Sequence, residues 1–164
     1  METKNMEKRY YQNFYKLEMA MQNNDHNVII LGPESSGKCE AIERCLELFS
    51  VSQSIALCTS KGVLMSIASR KENIDCFCWN TSQKTIDCDK IPNKYDLIII
   101  DGYCENWEEM INSHSTARII MAMRIRSFRD LSGDIKQRFK IAAKTGMVDD
   151  QNRVKGILQI KKYA

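Results

Sequence analysis

The sequence predicts an α/β fold, three layers deep, with a mostly parallel central sheet and a C-terminal β-hairpin. Three observations predict it. Short apolar, β-branched runs alternate with segments of helical periodicity, the pattern that yields a parallel sheet with helices on its faces. A glycine-bounded loop, Gly32 to Lys38, joins the first apolar run to a helical segment. The C-terminal stretch AAKTGMVDDQNRVKGILQIKK reads as two strands around a DDQN turn.

Taken in order, Met6, Tyr10, Phe14, Leu17 and Met21 recur every three or four residues, which predicts an amphipathic helix over 3–23. NNDHN ends it. VIIL (28–31) is short, apolar and branched, as a buried strand is. Residues 38–49 follow as a helix with Ile42, Leu46 and Phe49 on its inner face. SIALC (54–58) is a second strand, KGVLMSIASRK a helix and IDCFCW (74–79) a third strand. NTSQKTIDCDKIPNK is polar and carries no periodic element. YDLIIID (95–101) is the strongest strand of the chain, ENWEEMINS a helix, and ARIIMAM (117–123) another buried strand. FRDLSGDIKQRF (128–139) reads as a helix interrupted by Gly133. Right-handed crossovers between parallel strands would bring the Gly32 loop to the carboxyl edge of the sheet, where such folds bind ligands. There is no internal repeat and no low-complexity segment.

The composition fits that architecture. At 164 residues the length suits one domain, and 43% hydrophobic with 27% charged residues is ordinary for a globular protein. A net charge of +3 neither argues for nucleic acid nor excludes it. Seven cysteines occur without a C-x-x-C pair. Cys76 and Cys78 would share one strand face, and His26 and His114 are the two histidines, so reduced thiols in a cytoplasm are expected rather than a zinc site. The N-terminus is charged from the start, without the apolar core of a signal peptide. No apolar run approaches the roughly 20 residues that span a bilayer.

Gly32-Pro33-Glu34-Ser35-Ser36-Gly37-Lys38 matches G-x-x-x-x-G-K, directly after a strand and before a helix, which is the context this phosphate-binding pattern requires. The glycines let successive backbone N–H groups turn toward an anion, and the helix start adds about half a positive charge. Lys38 would add a full charge at the β- and γ-phosphates. ATP with Mg²⁺ is therefore the expected ligand pair. The residue after the lysine is ordinarily Ser or Thr, whose hydroxyl binds Mg²⁺. Cys39 stands there, and a soft thiol serves a hard cation poorly, so the metal site should be weakened.

YDLIIIDGYCE is an apolar strand ending in an acid, the Walker B pattern. Asp101 would lie beside the phosphate loop and hold the metal. The next position, where a carboxylate often orients the attacking water, is Gly102; Glu105 downstream and Glu34 within the loop are the nearest alternatives. Asp-Gly also reads as an ordinary turn. A strand ending at Met123 would bring Arg124 or Arg126 to the γ-phosphate or toward a neighbouring subunit, where a guanidinium can neutralise transition-state charge. The chain thus divides into an N-terminal helical segment, 1–25, and a nucleotide-binding domain, 26–164.

The loop GPESSGK is similar to that of the recombinase RecA. Over nearly the whole chain, the order of elements resembles the ATPase domain of the type II and type IV secretion traffic ATPases, a hexameric RecA-like family. MEKRYYQNFYKLEMAMQNNDHNVIILGPESSGK fits the family's leading helix, strand and loop. SIALCTSKGVLM falls where that family has an acidic strand end, and RIIMAMRIRSFRDLSGDIKQRF on its histidine box and following helix. NRVKGILQIKKY fits the closing R-V-x-x-I-x-x-I pattern with Arg153, Val154, Ile157 and Ile160. The resemblance implies ATP binding and membership of a homo-oligomer or larger assembly. The departures are Cys58-Thr59 at the acidic strand end, Gly102 at the Walker B glutamate, Arg124 at the box histidine and Cys39 at the loop hydroxyl. They imply a weak or degenerate ATPase. Two other readings stand beside it: a catalytically inactive nucleotide-binding regulatory subunit, and a nucleic-acid-associated ATPase whose Arg118, Arg124, Arg126, Arg129, Lys155, Lys161 and Lys162 track phosphate backbone.

Overall fold

The structure is a computed structural model describing residues 14–79, 82, 85–102, 104–124, 137–149, 151 and 154–163. Residues 14–22 form a helix, α1, whose Phe14, Leu17 and Met21 are buried, in the predicted spacing. There follow β1 (Val28–Leu31), α2 (Lys38–Phe49), β2 (Ile55–Thr59), α3 (Gly62–Ser69) and β3 (Ile74–Cys78). β4 (Leu97–Asp101), α4 (Trp107–Ser113), β5 (Arg118–Met123), β6 (Ile141–Asp149) and β7 (Val154–Lys162) complete the order.

The strands form one seven-stranded sheet in the order β3-β2-β4-β5-β1-β6-β7. Every neighbouring pair is parallel except β6 with β7, the predicted hairpin. Side chains alternate across the sheet, as the strand pleat requires. Val28, Ile30, Ile55, Leu57, Leu97, Ile99, Ile120 and Ala122 face a layer made of α1, α2 and α3. Ile29, Leu31, Ala56, Cys58, Ile98, Ile100, Ile119 and Met121 face the opposite layer, with Ile86, Ile91, Met110 and Ile111. Both faces of the central strands are covered, which is why they read as unbroken apolar runs.

Two differences from the sequence expectation have a local reason. β4 begins at Leu97 rather than Tyr95: the Asp96 and Leu97 N–H groups both donate to Ser54 O, at 3.0 and 3.1 Å, and the regular register with β2 starts at Ile55 opposite Leu97. The polar stretch contains a short 3-10 turn, Cys88–Lys90, started by Asp87, whose side chain accepts from Asp89 N. Of the predicted helix 128–139, residues 137–138 are helical, and 128–136 lie outside the described residues, as do Arg126, Arg129, Arg153 and 1–13.

Since β1, β2, β4, β5 and β6 run parallel, their carboxyl ends gather at one edge. β5 lies between β1 and β4, so the loop after Leu31 and the end of β4 flank the end of β5.

Candidate functional site

The chain leaves β1 with Gly32 N donating to Met123 O of β5 at 3.3 Å. A Cβ on residue 32 would overlap Ser36 Oγ and Thr145 Oγ1, so glycine is required by close approach. The loop then passes through left-handed backbone at Ser35 (φ 56°) and Gly37 (φ 107°). Gly37 is the N-cap of α2 and no side chain caps that end, which leaves first-turn N–H groups free to meet an anion. Lys38 Nζ reaches back across the loop to Gly32 O at 2.9 Å and Pro33 O at 2.6 Å. Ser36 Oγ lies 2.6 Å from Thr145 Oγ1, and the Thr145 hydroxyl donates to Leu31 O at 3.3 Å. Ser36 is then the donor in the first bond, and the relay ties the loop to β6.

Asp101 ends β4 with its side chain 4% exposed. Its Oδ1 is 3.5 Å from Lys61 Nζ, and its Oδ2 accepts from Thr59 Oγ1 at 3.1 Å. Thr59 Oγ1 in turn accepts the Lys61 N–H at 3.0 Å. On the other side of the loop, Arg124 Nη2 pairs with Glu34 Oε2 at 3.3 Å, both side chains exposed. Burial, then the Lys61 and Arg124 charges, pull the Lys38 ammonium below its ordinary 10.5, while Asp101 and Glu34 oppose this. Burial chiefly pushes the Cys39 thiol up to about 11. At neutral pH Cys39 is therefore a neutral thiol at the first turn of α2, not a thiolate.

Gly102 follows Asp101 with φ 122°, and a Cβ there would come within 2.8 Å of Trp79 Cζ2. The Trp79 backbone N–H donates to Thr59 O at the end of β2 at 3.2 Å, and from there the indole reaches Gly102 at the end of β4. Trp79 thus occupies the space that a side chain at position 102 would need. Glu105 is exposed beyond the turn.

Geometry gathers the Gly32–Cys39 loop, Asp101 and Arg124 at one edge, and adds four residues to which the motifs gave no role: Thr59, which the sequence marked only as a departure at the acidic strand end, Lys61, Trp79 and Thr145. Each lies at or just beyond the carboxyl end of a strand, except Thr145 inside β6, so the edge rule alone would have found three of them. Arg118 is elsewhere. It opens β5 at the opposite edge, donating to His26 O at 2.7 Å and Met21 O at 2.9 Å and lying over the Phe49 ring. Near it is an open cavity of about 800 Å³, lined by Gln22, Asn27, Gln53, Asp96, Thr116 and Arg118 among others.

No protein-family model matches the chain, and no curated protein matches it in sequence. Solved structures do. The VirB11 ATPase of the Brucella suis type IV secretion system, crystallised with sulphate, superposes with a TM-score of 0.66 over 98% of this chain at 12% identity. This chain spans 55% of that one, about half its length. The flagellar accessory protein FlaH of Methanocaldococcus jannaschii superposes with a TM-score of 0.58 at 15% identity, over 85% of this chain and 79% of its own. The order of elements that suggested the secretion traffic ATPases is thus met at the level of architecture, and the chain has the RecA-like P-loop fold.

Proposed function

We propose that the chain is an ATP-binding protein whose phosphate site is the Gly32–Cys39 loop, and that it hydrolyses ATP weakly. One observation carries this reading: an uncapped helix start, a turned loop and the Lys38 ammonium lie together at the carboxyl edge, beside Asp101. Backbone N–H groups of the loop and Lys38 would hold the phosphates, and Arg124, paired with Glu34 on the loop, would add charge near them. ATP supplies the phosphoanhydride bond whose cleavage needs an oriented water. The residues that could orient it are Glu34 or Glu105, neither of which follows Asp101 directly. By analogy with an ATPase of a type IV secretion system and a flagellar accessory protein, the chain would work as one subunit of an assembly, and the resemblance to the hexameric traffic ATPases makes a homo-oligomer the form it would take.

Nucleotide should raise the melting temperature. A ligand at 100 times its dissociation constant adds about 2.7 kcal/mol, and each kcal/mol moves Tm by about 2–4 °C in a domain of this size. ATP or ADP at millimolar concentration should therefore shift the native protein and leave Lys38→Ala unmoved. A native protein whose Tm ignores ATP, ADP and GTP would end this reading.

The catalytically inactive regulatory subunit is favoured by a specific contact, the Trp79 ring against Gly102. Under that reading, Cys39→Thr with Gly102→Glu starts no turnover until Trp79→Ala makes room. Native turnover of several ATP per second would rule it out.

A further inference from the structure

We propose that the Lys61 ammonium takes the place of a divalent metal ion at this site, so that the chain binds nucleotide phosphates without magnesium. This rests on the nucleotide reading above and concerns the cation of that same site.

Magnesium demands a near-octahedral shell of oxygen ligands. The two protein groups in position to contribute do not suit it. The residue after Lys38 offers sulfur, a soft donor, where an oxygen is needed. Asp101 is already engaged at both oxygens, Oδ1 by Lys61 Nζ at 3.5 Å and Oδ2 by the Thr59 hydroxyl at 3.1 Å. A dication at Oδ1 would have to displace a full positive charge and then sit next to it.

Lys61 is held for this task from its main chain. Its N–H donates to Thr59 Oγ1 at 3.0 Å, and the same hydroxyl donates to Asp101, so one threonine positions both members of the ion pair. Its side chain stays 46% exposed, while its Asp101 partner is 4% exposed. The ammonium therefore bridges the buried acid and open solvent at the loop. It carries three N–H donors, and facing Asp101 with one leaves two for phosphate oxygens. Together with Lys38 and Arg124 it makes three cations around one anion site, with Asp101 and Glu34 as the acids.

Calorimetric titration of ATP, in excess EDTA and in excess magnesium, tests this on the native chain and on Lys61→Ala. The expected result is an affinity in EDTA within about threefold of that in magnesium, and a loss of about tenfold or more in EDTA for Lys61→Ala, the size of one charge-assisted contact. Lys61→Ala leaves the Asp101 carboxylate buried without its cation, so Lys61→Ala/Asp101→Asn is titrated too and should lose affinity in EDTA in the same way. Native binding that needs magnesium overturns the proposal and leaves the nucleotide reading standing. Binding in EDTA that survives both variants overturns the role of Lys61. Absence of ATP binding in either buffer removes the nucleotide reading itself.

Discussion

Gly102 is where a single residue constrains the chemistry most. Its backbone lies in the left-handed region at φ 122°, and its missing Cβ leaves room for the Trp79 ring. Gly102→Ala should cost about 1–3 kcal/mol from the backbone alone, with the clash added. Urea denaturation of Gly102→Ala, Trp79→Ala and the double variant should return a favourable coupling energy, since removing the indole relieves only the clash. Additive effects would show that the ring and position 102 do not meet. Thr145→Val is a second test at this scale. It keeps the shape but removes the acceptor of the buried Ser36 hydroxyl and the donor to Leu31 O, and should cost about 1–3 kcal/mol in the same assay. The linkage at Lys38 adds a pH dependence. Its ammonium must be protonated to hold phosphate, and its proton affinity is lowered in the folded chain. ATP affinity measured across alkaline pH should therefore begin to fall short of 10.5, the ordinary lysine value, whereas an affinity flat to that pH would mean Lys38 does not bear on the ligand. Gly32 to Cys39 and Asp101 could be read from sequence because each motif is contiguous and its strand adjoins it. Thr145 could not, and neither could the bond from Thr59 to Asp101, because the partners are 109 and 42 residues away and only the sheet register brings them together.

The element that most changes meaning between sequence and fold is α1. Periodicity finds the helix, but nothing in the periodicity says what it covers. Its Phe14, Leu17 and Met21 join the same apolar cluster as Val28 and Ile30 of β1 and Ile42 and Leu46 of α2. Phe14 Cζ lies 3.5 Å from where a Cβ on Gly37 would stand, so the ring supports the turn that starts α2. Phe14→Ala should cost about 3–5 kcal/mol, as large-to-small changes at fully buried aromatics do. Because the ring backs the phosphate loop, the same variant should also lose ATP affinity at a temperature where it remains folded. Unchanged affinity in a destabilised Phe14→Ala would reduce α1 to a cover for the core. The central strands were legible for the opposite reason: buried on both faces, they admit little but branched apolar residues. The 3-10 turn at Cys88–Lys90 was not legible, because it rests on one Asp87 side-chain bond rather than on a repeat.

Across the whole molecule, the sheet separates two edges that offer different ligands different homes. The carboxyl edge holds the loop, Asp101 and Arg124; the opposite edge holds the open cavity around Arg118, whose Nε and Nη1 donate to the carbonyls of His26 and Met21 while its buried Nη2 has no partner among the described residues. Hydrogen exchange distinguishes them. Amides that exchange only through global unfolding should slow everywhere by up to about 100-fold when ATP is present at 100 times its dissociation constant, because that factor is the added stability. Amides that exchange through local opening report the site instead. Those in 32–38, at Gly102 and at Arg124 should gain protection with ATP, and those in 24–27, 52–53 and 115–118 should not. The reverse pattern would move the ligand to the cavity about 800 Å³ in volume and leave the Gly32 loop as a structural turn. Repeating the exchange in EDTA separates a built-in cation from magnesium: a loop protected with ATP alone has its balancing charge built into the chain, and a loop protected only with added magnesium does not.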